Sequence, residues 1–102
     1  MNPNAALSPG EITQHLRQFS RWQCITLPND AASLQCSVAL ASYARGLAMV
    51  AWLGQWAEDH QHHPDLTLTY SALSITWTTH DAGGVTQRDI DAILAFETQW
   101  GE

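Results

Sequence analysis

The segment that most constrains the fold is LTLTYSALSITWTTH, residues 66–80, in which apolar and polar side chains alternate in two consecutive runs. A period of two places the apolar side chains of a strand on one face of a sheet. The alternation breaks between Tyr70 and Leu73, which predicts two antiparallel strands joined by a turn at Ser71–Ala72. This turn gives three apolar cross-strand pairs: Tyr70 with Leu73, Leu68 with Ile75, and Leu66 with Trp77. All these side chains then lie on one face, which supports the register.

Two earlier segments, WQCITL and SLQCSVAL, have the same strand composition and are separated by the polar turn PNDAA. We expect residues 22–27 and 34–40 to form a second hairpin, because proline, asparagine and aspartate favour turns. If that hairpin is centred near residues 29–31, Cys24 and Cys36 can face each other, and a disulfide is one alternative. Buried free thiols are the favoured state, since disulfides are rare in the cytoplasm.

Two segments begin with a capping box, in which a serine or threonine precedes an acid by three residues. Ser8 and Glu11 predict a first helix over about residues 9–19. Thr86 and Asp89 predict the start of a last helix. The core stripe of that helix is expected from Ile90, Ile93 and Leu94, with Phe96 and Trp100 to the side.

The longest helix is expected from about Ser42 to His60, and Pro64 should end it, because the residue before a proline avoids helical backbone. Its apolar residues exceed one narrow stripe. One face, made of residues 43, 47, 50 and 57, is expected to pack on the sheet. A second face, made of residues 49, 52, 53 and 56, would remain apolar. Two interpretations stay open: a partner such as another copy of the chain, or one broad buried face.

The predicted element order is α-β-β-α-β-β-α. This order indicates an α+β fold, a four-stranded antiparallel sheet with helices packed on one face. The length suits a single domain over residues 1–102.

The charge of the chain excludes several classes of partner. Ten acids stand against four arginines and no lysine, for a net charge of -6. A phosphate backbone or an anionic membrane would repel such a chain, so we expect no nucleic acid and no membrane partner. No apolar run approaches the ~20 residues of a membrane span, and no secretory signal is visible, so we expect a cytoplasmic protein.

Three of the five histidines, His60, His62 and His63, lie in the segment HQHHP at the end of the long helix. Extending the predicted hairpin register outward sets position 63 opposite His80, so this helix end is expected beside the segment TTH. Glu58 lies four residues before His62, on the same helix face if the helix extends that far.

The chemistry of these residues leaves three interpretations of the histidine cluster open. Three imidazoles suit a metal site, although the helical His-Glu-x-x-His spacing is absent. Imidazoles also transfer protons near neutrality, and Glu58 or Asp89 would tune them. The third interpretation is a solvated helix end, since the helix dipole favours histidine there.

A set of residues stands at fixed spacings from the end of the long helix to the last helix: Glu58, His62, His63, Pro64, Tyr70, His80 and Asp89. Together they resemble the signature of the pterin-4a-carbinolamine dehydratases. The segment THDAGGVTQRDI is similar to the family's segment around its third active-site histidine. The resemblance covers about residues 42–99, and the first forty residues match in layout alone.

The resemblance implies dehydration of 4a-hydroxytetrahydropterin to quinonoid dihydropterin, which recycles the cofactor of aromatic amino acid hydroxylases. It implies a pterin substrate, no metal or organic cofactor, and a homodimer or homotetramer. His62 and His80 would form the acid–base pair, and His63 would position the pterin or share that catalytic role. Glu58 and Asp89 would be supporting acids. Substrate contacts are implied for a wider set: Gln61, His62, His63, Thr78, Thr79, His80 and Asp81.

Two positions depart from the family pattern. Gln61 stands where an acid is frequent, which would alter the tuning of the histidines, and Leu66 stands where an aromatic residue is frequent, which would weaken pterin stacking. Two other functions stay open: a dimerisation cofactor of transcription factors, a role also found in this family, and a histidine-ligated metal hydrolase.

Overall fold

The computed structural model describes residue 2 and residues 4–101. Within these residues the elements are α1 (Pro9–Leu16), β1 (Gln23–Thr26), β2 (Ala32–Ala39), α2 (Tyr43–His60), β3 (Asp65–Leu68), β4 (Ala72–Trp77), a 3₁₀ turn (His80–Ala82) and α3 (Gln87–Trp100). The predicted α+β class and element order are confirmed. None of the described helices is long and apolar enough to cross a membrane.

The four strands form one antiparallel sheet in the order β1-β2-β4-β3. The two hairpins therefore meet at the centre of the sheet, where β2 pairs with β4. One face of these central strands carries the buried side chains of Leu34, Cys36, Leu73, Ile75 and Trp77. Buried side chains from the helices join the same cluster, among them Ile12, Leu53, Ile93 and Phe96. This apolar layer between sheet and helices is the core.

The predicted register of the second hairpin is wrong by two residues. The observed cross-strand pairs are Asp65 with Thr76, Leu66 with Ile75, Thr67 with Ser74, and Leu68 with Leu73. The turn is closed by Thr69, whose N–H donates to the Ala72 carbonyl at 2.9 Å and whose hydroxyl accepts the Ala72 N–H at 3.1 Å. Tyr70 lies in this turn and is 85% exposed. Because a shift of two leaves every side chain on its own face, the alternation fits both registers.

The face of α2 that packs on the sheet also differs from the prediction. Its buried residues are Gly46, Met49, Leu53 and Ala57. Ala57 was expected on the sheet, but Met49 and Leu53 belong to the second face, which was expected to stay uncovered. Tyr43 and Leu47, which were expected on the sheet, are 44% and 51% exposed. At Gly46 an added Cβ would lie 2.7 Å from a methyl carbon of Leu40 and 2.7 Å from one of Leu68. The helix therefore approaches the sheet closely at Gly46, which a count of large apolar side chains does not reveal.

The first helix begins as predicted and ends earlier. The Ser8 hydroxyl accepts the Glu11 N–H at 3.2 Å, and the Glu11 carboxylate accepts the Ser8 N–H at 2.9 Å. The helix ends at Leu16, and Phe19 follows in a turn in which its N–H donates to the Leu16 carbonyl at 3.0 Å. Phe19 is still buried, as its place in the apolar stripe predicted.

The core stripe of α3 is predicted only in part. Ile90 and Ile93 are buried as expected, but Leu94 is 52% exposed. Phe96, which was placed to the side, is fully buried. The buried residues centre on the helix face of Asp89, Ile93 and Phe96, and Leu94 lies past the edge of that face, beyond Ile90.

The two cysteines are free and lie in different environments. Cys36 is buried on the central strand β2, whereas Cys24 is exposed on the edge strand β1. The prediction that both thiols are buried is therefore wrong for Cys24. In the observed hairpin Cys24 pairs with Leu34 and not with Cys36, so the disulfide alternative is not formed.

Candidate active site

The end of α2 turns the chain so that neighbouring histidines enter different environments. Gln61 has left-handed backbone (φ 49°, ψ 44°), and its N–H donates to the Ala57 carbonyl. The His62 N–H donates to the same carbonyl at 3.1 Å. A left-handed residue ends a right-handed helix. His62 is therefore carried into the core, whereas His63 remains exposed.

His60, the other histidine of this segment, packs separately from His62 and His63. Its ring stacks on Trp56 with centroids 3.9 Å apart and planes at 13°. Its Nδ1 donates to the Trp56 carbonyl at 2.8 Å. His60 therefore packs as an exposed residue at the helix end.

His62 lies between an aromatic ring and a buried carboxylate. Its Nε2 is 2.6 Å from Asp89 Oδ1, and its ring stacks on Trp77 with centroids 5.3 Å apart. His62 is 7% exposed and Asp89 is fully buried. Because a carboxylate only accepts hydrogen bonds, Nε2 carries the proton. Among the described residues no group hydrogen-bonds Nδ1, and this atom is not buried, so Nδ1 is the nitrogen available to a ligand.

Asp89 is held in place by the start of α3. Its Oδ2 accepts the Thr86 N–H at 2.9 Å, which completes the predicted capping box. The same oxygen accepts the Thr79 hydroxyl at 2.8 Å. The Thr79 and Thr86 hydroxyl oxygens are 2.8 Å apart. The capping box thus extends into a buried hydrogen-bond cluster that ends at His62.

The second carboxylate pairs with a different histidine from the one predicted. Glu58 was predicted to lie on the helix face of His62, but α2 ends at His60. The Glu58 carboxylate instead accepts a hydrogen bond from Nε2 of His63. Both side chains are more than half exposed. His62 therefore pairs with a buried acid, Asp89, and His63 pairs with an exposed acid, Glu58.

His80 is brought to the same corner by the loop after β4. It begins the 3₁₀ turn, which ends at Gly83 with φ 73°. At the base of this loop Thr79 and Gly84 form an antiparallel bridge. His80 and Asp81 are exposed on the loop.

A pocket of about 220 Å³ lies where the end of α2 meets this loop. Its lining residues are Gln61, His62, His63, Thr78, Thr79, His80, Asp81 and Arg88. All residues of the predicted substrate-contact set are therefore brought together, although the hairpin register that predicted this neighbourhood was shifted. Glu58 and Asp89 do not line the pocket and contact its histidines from outside.

A larger open cavity of about 740 Å³ lies at the opposite end of α2, against α3 and β2. It contains no histidine, and its charged residues already have partners: Arg21 pairs with Glu97, and the Arg45 guanidinium lies 5.2 Å from the ring centroid of Trp100. The histidine pocket is therefore the candidate active site.

Comparison with known proteins identifies the family. The family model for pterin 4 alpha carbinolamine dehydratase matches residues 5–98. The chain belongs to this family. Among curated relatives, a Chloroflexus aggregans protein provisionally named pterin-4-alpha-carbinolamine dehydratase is 37% identical over 93 residues, covering 91% of this chain and 95% of its own length. A Nostoc protein with the same provisional name is 38% identical over 85 residues, covering 83% of this chain and 86% of its own length.

The fold is also similar to a solved structure. A Brucella melitensis protein, described as a transcriptional coactivator/pterin dehydratase, superposes with a TM-score of 0.81 at 24% identity. The match covers 91% of this chain and 96% of that one. Both chains therefore have the pterin-4a-carbinolamine dehydratase fold, and this family is one of hydro-lyases.

Arg88 and Trp77 are two residues of this dehydratase-family site that the sequence patterns did not indicate. Arg88 lines the pocket, and its Nη2 donates to the Gln61 carbonyl at 2.9 Å, which links α3 to the end of α2. A cation in the first turn of a helix opposes the helix dipole. That unfavourable placement is the signal that marks Arg88. Trp77 had been identified only as a core residue, and no pattern pointed to its stacking on His62.

The donor geometry also bears on the metal alternative. Among residues 2 and 4–101, no three His, Cys, Asp or Glu side chains are placed together to hold a metal ion. His62 and His63 each direct Nε2 to a separate carboxylate. Their arrangement resembles two acid–histidine pairs more than a set of converging ligands.

Proposed function

We propose that the chain, as a single domain, dehydrates 4a-hydroxytetrahydropterin to quinonoid dihydropterin and so recycles the cofactor of aromatic amino acid hydroxylases. Family membership supports the substrate class. The observation that carries the proposal is the buried His62–Asp89 pair at the wall of a pocket that His63 and His80 also line. The proposed reaction needs no metal or organic cofactor.

The reaction requires one proton donor and one proton acceptor. The C–O bond at the carbinol carbon breaks, and the oxygen leaves as water with a proton from the acid. The adjacent ring N–H gives its proton to the base, and the electron pair left on nitrogen forms the C=N bond. Imidazole changes its charge near neutrality, so histidines can serve at both ends at little cost.

His62 and His80 are the proposed acid–base pair. His62 presents Nδ1 to the pocket because Asp89 holds Nε2. His80 stands on a different element, the loop after β4, so the two rings can reach different atoms of one substrate. His63, supported by Glu58, positions the pterin or shares the proton transfer. The other lining residues, apart from Thr79, are assigned to pterin contacts.

The proposal is tested by following the ultraviolet absorbance of 4a-hydroxytetrahydropterin during dehydration. We expect His62→Ala and His80→Ala each to lower kcat by about 10²–10⁴-fold, the usual contribution of a general acid or base. His60→Ala is the matched control, since this ring packs on Trp56 away from the pocket, and it should retain the wild-type rate. Full activity in both test variants would refute the assignment. Activity lost to a chelator and restored by zinc would favour the metal-dependent alternative.

We also propose that the chain forms a homodimer or homotetramer and acts in the cytoplasm. The exposed apolar residues Tyr43 and Leu47 of α2 favour an interface between copies, and two free thiols favour a reducing compartment. Light scattering on the wild type and on Leu47→Glu tests the interface. A monomeric wild type would refute it, whereas dissociation of the variant would support it.

A second candidate is a dimerisation cofactor of transcription factors. It is favoured by the same exposed residues on α2 and not by the histidine pocket. Two variants distinguish the two functions. His62→Ala would remove dehydration and leave partner binding unchanged. Leu47→Glu would leave dehydration unchanged and remove partner binding. A wild-type chain without dehydratase activity would favour this second function over dehydration.

A further inference from the structure

We propose that Thr79 is a positioning residue that fixes the tautomer of His62 through Asp89, a role that rests on the proposed acid–base function of His62. The family resemblance placed Thr79 among the substrate contacts. Its side chain is instead 4% exposed. Its hydroxyl lies 2.8 Å from Asp89 Oδ2 and 2.8 Å from Thr86 Oγ1, so both of its hydrogen-bonding functions are used inside the protein.

The donors and acceptors of this cluster define the direction of each hydrogen bond. The Arg88 N–H donates to Thr86 Oγ1 at 3.2 Å. The single proton of the Thr79 hydroxyl is donated to Asp89 Oδ2, so the Thr79 oxygen accepts the Thr86 hydroxyl proton. Oδ2 also accepts the Thr86 N–H at 2.9 Å. Two donors therefore hold Oδ2, and Oδ1 is left facing His62.

This arrangement selects one neutral tautomer of His62. With the carboxylate held by two donors, Oδ1 stays 2.6 Å from Nε2 and stabilises the Nε2–H form. The unprotonated nitrogen is then Nδ1, the one open to the pocket. Without the Thr79 hydroxyl, only the Thr86 N–H holds Oδ2, and Asp89 can rotate. The Nδ1–H form then gains population, and in that form the nitrogen at the pocket already carries a proton and cannot accept one from the substrate.

The first test reads the tautomer directly and does not depend on catalysis. In Thr79→Val the hydroxyl is lost at nearly constant shape, and in Thr79→Ser it is kept. We expect ¹⁵N NMR of the His62 ring to show the Nε2–H form in the wild type and in Thr79→Ser, and a mixture of tautomers in Thr79→Val. Thr78→Val is the matched control for this spectrum, because the neighbouring Thr78 hydroxyl donates to the Ala32 carbonyl at 2.8 Å and not to Asp89.

The second test separates positioning from substrate contact. We expect Thr79→Val to lower kcat about tenfold and to change KM less than about twofold, since the loss lies in proton transfer. Thr79→Ser should recover most of the rate. A raised KM with unchanged kcat would overturn the proposal and restore the substrate-contact role.

An unchanged His62 tautomer in Thr79→Val would also overturn it. If the wild type shows no dehydratase activity, the proposed function fails, and the NMR comparison still decides the role of Thr79. If Thr79→Val does not fold, Thr79→Ala removes the same hydroxyl and gives the same comparison.

Discussion

Asp89 Oδ1 and His62 Nε2 lie 2.6 Å apart in the core, although the two residues are separated by 27 positions in the chain. Asp89 is also the acid of the α3 capping box, in which its Oδ2 accepts the Thr86 N–H. One carboxylate thus stabilises a helix start and orients an imidazole of the pocket. A change at Asp89 should therefore affect both stability and activity.

Asp89→Asn should lower kcat roughly a hundredfold, because an amide that donates to Nε2 would favour the wrong tautomer of His62. The weakened cap should cost about 1 kcal/mol of unfolding free energy. Steady-state kinetics and urea denaturation measure the two effects. Asp91→Asn, an exposed change on the same helix, is the control, since Asp91 bonds only Gln87 among the described residues. Wild-type kcat in a folded Asp89→Asn would contradict the orienting role.

Glu58→Gln should have a smaller effect than Asp89→Asn. Its pair with His63 is more than half exposed on both sides, so solvent screens the interaction. We expect a fall in kcat of less than about tenfold and a stability change within about 0.5 kcal/mol. Both variants are compared in the same assay and the same denaturation series. Equal losses of kcat in Glu58→Gln and Asp89→Asn would show that burial of an acid–histidine pair does not determine its effect on the rate.

The sequence was sufficient for those features of the fold that local chemistry determines. The Ser8 and Thr86 capping boxes begin helices where predicted, and the strands follow from their alternation. The hairpin register was not determined, because a shift of two residues preserves both faces. The packing face of α2 was not determined either, since close approach at Gly46 depends on Leu40 and Leu68, which lie on other elements.

For the site, the sequence predicted which residues come together but not which residues pair. The pocket does contain His62, His63 and His80. The pairing of Glu58 with His63 depends on where α2 ends, and the left-handed backbone of Gln61 determines that end. Contacts such as Arg88 with the Gln61 carbonyl join distant segments, so no spacing in the sequence could indicate them.

Cys36 should resist thiol reagents in the folded protein. Burial raises the pKa of its thiol to about 11 from 9.0, so the folded state disfavours the thiolate. The unfolded state releases this proton at lower pH than the folded state, so ionisation of this thiol lowers the free energy of unfolding as pH rises from 9.0 toward 11 and has no effect below 9.0. At pH 8 a disulfide reagent should modify Cys24 alone, and both cysteines after unfolding. In Cys24→Ser the folded protein should not react, and rapid labelling of that variant would contradict the burial of Cys36.

Two glycines of α2 should respond oppositely to alanine. At Gly54 an added Cβ meets nothing within 4 Å, so Gly54→Ala should raise the unfolding free energy by up to about 1 kcal/mol through helix propensity. At Gly46 the same Cβ lies 2.7 Å from methyl carbons of Leu40 and Leu68, which must move. Overpacking typically costs about 1–3 kcal/mol, so Gly46→Ala should be at least about 1 kcal/mol less stable than Gly54→Ala. Urea denaturation of both variants measures the difference, and equal stabilisation by the two changes would show that α2 does not approach the sheet through Gly46.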